Sequence, residues 1–328
     1  MSVRVDLRSL QKGGRKLWFY LSNFTMYYTP NSIYRWLFHK FIGKLTDEEL
    51  AIAEERASYY AHIPQGMKID EKTATSIEDY KYPFGKKKKF SAYFFDLLVY
   101  IRLFPKHYKF HYLFGDINTE MTTPTLVKSR PIVGRETPSV LCKWDKTRHF
   151  VFLHDTRSFR EKKDLLIARN YVMAQPHRTR FLEMYINHPL CDVGRINEDN
   201  DGHPEFLKPF VSINDHLAYK FICCIEGHDV ATNLKWVMSS NSVAVMPRPT
   251  IESWFMEATL IPNYHYIEIK SDYSDLIEKL NYYIAHPEEA EAIIAHAHAY
   301  VDKFRSPRLE RYTSYLTLKK YFQAIGQA

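Results

Sequence analysis

Apolar and polar positions change their rhythm several times along this chain, and each change predicts an element. Residues 1–60 mix basic and aromatic side chains, and Thr46 with Glu49 three positions later has the spacing of a capping box, which predicts a helix to about Tyr60. The polar stretch Pro64–Lys89 ends in the run Lys86, Lys87, Lys88, Lys89 and reads as an exposed loop, with contact to anionic lipid as the other reading. Ser91–Phe104 is apolar and predicts a helix closed by Pro105. Phe110–Phe114 then predicts a short strand that delivers Gly115-Asp116-Ile117-Asn118 at its end.

Beyond that point strands and helices alternate. Val140–Trp144, Phe150–His154 and Leu165–Ala168 read as strands, and Arg178–Asn187 as a helix. Tyr219–Ile225 is apolar apart from Lys220, Glu226-Gly227-His228-Asp229 makes a turn, Val230–Ser240 has helical spacing, and Ser242–Met246 is another buried strand before Pro247 and Pro249. Strand, turn, helix and strand in this order make a βαβ unit, which predicts an α/β fold with a parallel sheet. Ligands of such sheets bind beyond the carboxyl ends of the strands, so Glu226–Asp229 and Pro247–Glu252 are expected at the edge of a cleft. Asp275–His286, Pro287–Phe304 and Leu309–Ala324 predict three closing helices.

Length and composition narrow the classes. The 328 residues suffice for one large domain or two ordinary ones, and 45% hydrophobic with 25% charged residues exclude disorder for most of the chain. Only 11 residues are Gly, and their positions leave neither a dinucleotide fingerprint nor a Walker phosphate loop. Cys142, Cys191, Cys223 and Cys224 show no C-x-x-C spacing and read as buried thiols in a reducing compartment. The 15 His residues show no zinc-site spacing. A signal h-region and a membrane span are both missing from the sequence, so the expectation is a soluble protein or one held at a membrane surface.

The block from Tyr219 to Leu276, running YKFICCIEGHDVATNLKWVMSSNSVAVMPRP, ESWFME and LIPNYHYIEIKSDYSDL, resembles glycosyltransferase family 90, closest to its bacterial lipopolysaccharide core enzymes. FGDIN at 114–118, KSRPI at 128–132, VLCKWDKTRHF at 140–150 and KKDLLIARN at 162–170 fall in the family's order. The resemblance implies two Rossmann-like domains facing a cleft (GT-B type), a UDP-sugar donor, no required metal or other cofactor, and inversion at the anomeric carbon. It implies an acceptor-side domain over 1–158, a nucleotide-sugar domain over 159–307, and a last helix, 308–328, packing back on the first.

Sugar transfer needs a base for the acceptor hydroxyl and positive or amide groups for the departing diphosphate. Asp116, after a strand and beside Gly115, is the expected base; a turn-forming Asp is the alternative. Arg169 and Lys235, with Arg178 or Arg180 in support, are candidates for the diphosphate. They are joined by Gly227 and the amide groups of Ala231, Thr232 and Asn233 at a predicted helix start. In eukaryotic relatives an Arg stands where this chain has Asn233, which leaves the phosphate contacts open. For the donor sugar the candidates are Glu226, Pro247, Glu252, Trp254 and Glu257, with buried structural roles as the alternative.

A formal charge of +7 suits an anionic partner. The expected acceptor is a lipid-linked or oligosaccharide glycan of lipopolysaccharide or lipooligosaccharide core, met in the cytoplasm or at the inner membrane, with basic and aromatic clusters near 12–40 and 86–95 as contacts. A family member that binds glycan without catalysis, and a basic nucleic-acid-binding protein, are the alternatives; no nucleic-acid motif is present.

Overall fold

Two mainly parallel sheets, each with its own helices, organise the chain. A computed structural model describes residues 20–43, 45–82, 90–132, 136–173, 175–198 and 202–328. The lysine run 86–89 and the basic positions before Tyr20 lie outside the described residues.

In the amino-terminal half, residues 20–28 are helical, followed by helices α1 (Asn31–Ile42), α2 (Asp47–Tyr60) and α3 (Ser91–Ile101). Thr46 caps α2 as its spacing predicts, accepting from the Glu49 N–H while the Glu49 carboxylate accepts from the Thr46 N–H. Strands β1 (Thr75–Ser76), β2 (Lys109–Tyr112), β3 (Thr125–Val127), β4 (Ser129–Pro131) and β5 (Ser139–Leu141) follow. Four of them form a sheet in the order β1-β2-β3-β5, antiparallel at β1 and parallel elsewhere. The high aromatic content is spent here: Tyr80, Tyr82, Phe94, Phe95, Phe110 and Trp144 share a core built from edge and stacked ring contacts.

The second half contributes β6 (Lys163–Asn170), α4 (Pro176–Tyr185), β7 (Cys191–Arg195), β8 (Tyr219–Cys223), β9 (Val243–Met246), β10 (Ile251–Ser253) and β11 (Ile267–Glu268). Its five-stranded sheet has the order β11-β9-β8-β6-β7 and is parallel throughout. Both faces are covered, which is why Phe221, Ile222, Cys223 and Val243–Met246 read as unbroken apolar runs. All four cysteines are free and buried. Helices α5 (Leu276–Ala285), α6 (Pro287–Asp302) and α7 (Pro307–Ala324) close the chain, and α7 packs on α1, α2 and α3.

Two expectations need correction. Phe150–His154 forms no ladder; Lys146–His149 makes one helical turn and the residues after it have no regular structure, with the Leu153 N–H donating to Ser239 Oγ at 2.9 Å. The predicted helix over Val230–Ser240 shrinks to Leu234–Val237. The Asn233 side chain donates to the Cys223 carbonyl, and the Ser239 and Ser240 hydroxyls bond back to the carbonyls of Trp236 and Val237, competing with the helix at both ends.

Two of the contacts that tie the halves together lie in the strands and the closing helix. Strand β4 stands outside the four-stranded sheet and pairs antiparallel with β10, setting Arg130 opposite Glu252. Farther out, Trp254 is fully buried, stacks on Tyr60 at 3.9 Å and donates its indole N–H to Glu310 Oε2 at 2.8 Å. Glu310, on α7, also pairs with Arg56 and Lys143, each at 2.6 Å. Burial pushes the Glu310 carboxyl up, but Lys143 and Arg56 overcome this and hold it below its ordinary value.

Removing one member of such a buried cluster strands the others, so Glu310→Ala is expected to cost about 3–5 kcal/mol in urea unfolding. Because the folded-state pKa is lowered, the Glu310 contribution should be fully present above the ordinary carboxylate range and fade as pH falls below it. Unfolding midpoints of wild type and variant that run parallel from neutral to acid pH would contradict this.

Candidate functional site

Parallel strands point their carboxyl ends the same way, so β6 and β8 end together and the loops after them form one rim. Facing that rim is the loop after β2, which carries Gly115 and Asp116. Gly115 has φ +121°, a backbone that disfavours side chains, and it lies against the ring of Phe90. Between the halves runs a cleft of about 520 Å³ whose lining includes Asp116, Arg148, Arg169, Arg178, Gly227, His228, Thr232 and Asn233. A second cavity of about 530 Å³ opens on the amino-terminal side, bounded by Phe90, Tyr93, Asn118 and Asp145. Asp116, Arg148 and His228 line both. Three residues of this second cavity hold left-handed backbone: Gly115, Phe90 (φ 66°) and Asp145 (φ 52°). For Phe and Asp such geometry costs on the order of 1–3 kcal/mol and persists only where the surroundings enforce it.

Asp116 is 37% exposed at its side chain, so a ligand can reach it. Its Oδ1 lies 2.6 Å from Lys128 Nζ and 3.9 Å from Arg148 Nη2, while Oδ2 has no hydrogen bond among the described residues. Partial burial pushes the Asp116 carboxyl up, but the Lys128 ammonium, with Arg148 and His228, brings it below its ordinary value. Lys128 is buried and shared: its Nζ also lies 2.7 Å from Asp229 Oδ2. Burial works against its charge, yet Asp229, Tyr93 and Asp116 together raise its pKa. Ser129 Oγ sits 2.9 Å from the same Asp229 oxygen and accepts from the Ile117 N–H.

Arg148 is aimed by two neighbours. Its Nε pairs with Asp145 at 2.8 Å, and its Nη2 lies 3.1 Å from His149 Nε2. Burial, then the charges of Lys235, Lys128 and Arg148, hold the His149 pKa well below its ordinary value, so the ring stays neutral and accepts from the guanidinium. Across the cleft, Arg178 donates to the carbonyls of Glu226, Ile225 and Tyr171 at 2.7–2.9 Å and forms no ion pair among the described residues. Its charge is therefore uncompensated by a carboxylate. A Cβ on Gly227 would stand 3.1 Å from Arg178 Nη2, so glycine there gives the guanidinium its room. Arg169 differs, being held by Asp192 at 2.6 Å. Among the described residues no group of three or more His, Cys, Asp or Glu side chains converges.

Asp116, Arg169, Arg178, Gly227, Thr232 and Asn233 thus meet in one cleft, and the other sequence candidates do not line it. Lys235 is fully buried against Glu257 at 2.7 Å, with its Nζ 5.4 Å from the Phe255 ring. Glu257 also accepts from the Ser253 N–H at 2.6 Å. Glu252 pairs with Arg130 at 2.8 Å and accepts from the Tyr59 hydroxyl, and Trp254 is core. These residues follow a strand end in sequence, but β10 folds back over β4 and carries them inward. Glu226 accepts from the N–H groups of Thr250 and Ile251, which fastens the turn after Pro247. Ala231 is buried, Arg180 is exposed on α4, and neither it nor Pro247 lines the cleft. With the helix start displaced to Leu234, the amide groups of 231–233 do not form a helix N-terminus.

Sequence reasoning misses Lys128, Arg148 and His149, and reaches Asp229 only as the end of a turn at the cleft edge. For Lys128 the signal is a charge that directly follows the apolar pair Leu126-Val127, where burial demands a partner.

The sequence pattern of glycosyl transferase family 90 matches residues 136–325. O-glucosyltransferase LpsA of Dichelobacter nodosus is 40% identical over 275 residues, 84% of each chain. Protein O-glucosyltransferase 2 of Danio rerio is 35% identical over 87 residues, 26% of this chain and 17% of the relative. With a family match over more than half its length and a relative of this identity along most of it, the chain belongs to glycosyltransferase family 90 and is a glycosyltransferase.

Proposed function

We propose that the protein transfers a sugar, with inversion, from a UDP-sugar to a glycan acceptor of lipopolysaccharide or lipooligosaccharide core, using Asp116 as base. The observation that carries this is the position of Asp116 at the junction of two cavities, with Oδ2 unengaged. On this reading the two sheets are the halves of a GT-B arrangement. The donor lies in the 520 Å³ cleft, its diphosphate against Arg178 and its base near the exposed rim of Tyr171, Met173 and Phe210. The acceptor enters beside Phe90 and Tyr93. The bacterial relative's name, an O-glucosyltransferase, favours glucose as the sugar.

The acceptor oxygen forms its bond to the anomeric carbon as the bond from that carbon to the diphosphate oxygen breaks, and the electron pair leaves with UDP. The hydroxyl proton passes to Asp116 Oδ2. A carboxylate of lowered pKa is a weak base, which suits a transition state in which the leaving group departs early and the proton is lost late. Lys128 keeps Asp229 as its partner when Asp116 is protonated, so no buried charge is left alone. Arg178 and Arg148 supply positive charge at the cleft, and no divalent ion is required. The site of action is the cytoplasmic side of the inner membrane.

Purified protein with EDTA should release UDP from one of UDP-glucose, UDP-galactose, UDP-xylose or UDP-N-acetylglucosamine. Asp116→Asn should lower that rate by about 10²–10⁴-fold while the protein stays folded, as circular dichroism would show. Absence of release and of any thermal shift with all four donors would refute the donor assignment. In wild type the acid limb of kcat/KM should fall below the ordinary carboxylate range, because Asp116 must be ionised and its pKa is lowered. Lys128→Met removes the main stabilising charge and should move that limb to higher pH; an unmoved limb would remove Asp116 as the titrating base.

A further inference from the structure

We propose that the outer face of α1 docks on an anionic lipid surface. Helix α1 is apolar on two sides. Inward, Phe38 is buried against Tyr315, and the Tyr34 hydroxyl donates to the Val99 carbonyl. Outward, Ile33, Trp36, Leu37 and Lys40 recur at the i, i+3, i+4, i+7 spacing of one helical stripe. The three apolar members are 49%, 59% and 47% exposed. Leu21 and Tyr28, on the helical segment before it, are exposed as well. A helix that is apolar on both sides needs a cover on the second.

Charge identifies that cover. Residues 1–44 contain eight Lys or Arg and one acid, Asp6, so they hold the whole formal charge of +7; the other 284 residues carry 37 of each sign. Between residues 20 and 43 no acidic residue occurs. Lys40 Nζ lies 5.1 Å from the Trp36 ring, placing cation and indole side by side as at a membrane interface. A second copy of the chain would bring two strongly positive segments together, whereas anionic headgroups neutralise one.

The face is also joined to the cavity beside Asp116. Helix α3 has Ser91 of that cavity at one end and Arg102, bonded to Asn31 of α1, just past the other. Its 11 residues span about 16 Å at 1.5 Å per residue. The face therefore stands about one short helix from the point where an acceptor would enter. Its use rests on the lipid-linked acceptor proposed above, although its chemistry does not.

Sedimentation of the full chain with vesicles tests this without any donor sugar. Binding is expected to vesicles of phosphatidylglycerol and phosphatidylethanolamine, not to phosphatidylcholine alone, and to weaken with added salt. The combined variant Ile33→Ser, Trp36→Ser, Leu37→Ser should bind about tenfold more weakly or worse, with an unchanged melting temperature and unchanged UDP release from the soluble donor. Wild-type-like binding by the variant would overturn the face in favour of tail charge alone. Failure of the wild type to bind anionic vesicles would also overturn it. So would a wild-type dimer that the variant converts to monomer, which would assign the face to a second copy. A protein that binds vesicles but releases no UDP would keep the docking face and lose the proposed reaction.

Discussion

A single buried ammonium holds the centre of this molecule together. Lys128 reaches Asp116 from the amino-terminal half and Asp229 from the other, both within 2.7 Å, in a place with little water to share the charge. An unpaired charge in such surroundings is costly enough that the two carboxylates and the lysine must be positioned as a set. The loops that supply them inherit this requirement. Ser129, next in sequence, fixes Asp229 and the Ile117 amide, and Arg130 after it pairs with Glu252. Three consecutive residues therefore set the distance between the sheets and the place of the proposed base.

Burial separates groups that look alike in sequence. Arg178 and Lys235 both lie on segments that follow strands of the second sheet, but Lys235 is neutralised inside the second core by Glu257, while Arg178 donates to carbonyl oxygens and faces the cleft. Asp116 and Glu252 divide the same way. One keeps an oxygen free at a cavity junction; the other is consumed by Arg130 and Tyr59. Availability of charge, rather than its presence near a strand end, separates groups that can meet a ligand from groups that hold the fold.

Much of the fold was legible because its causes are local. The capping box at Thr46 started α2 where its spacing placed it, and the apolar runs Tyr219–Ile225 and Ser242–Met246 became neighbouring parallel strands. The place of Asp116 at the cleft was legible because a strand end followed by glycine exposes what comes next. The errors came from contacts distant in sequence. Glu252, Trp254 and Glu257 were placed at the cleft because nothing local reveals that β10 pairs with β4, some 120 residues earlier. The helix after Asp229 was overestimated because the serine and asparagine side chains that shorten it act through bonds that helical spacing does not register. Arg148 and His149 were passed over because their chemistry exists only once Asp145 and Asp116 surround them.

The β4–β10 ladder has a consequence for how such enzymes can diversify. Its two strands come from opposite halves and carry Arg130 against Glu252, with Tyr59 of α2 and the Trp254–Glu310 contact beside them. A recombination event that exchanged the second half for that of a distant relative would separate every one of these partners at once. The halves are therefore not interchangeable cassettes. New donor preferences in this scaffold should accumulate through substitutions around the cleft rim, and a chimera would succeed only if it carried residues 56–60, 128–130 and the last helix along with the exchanged half.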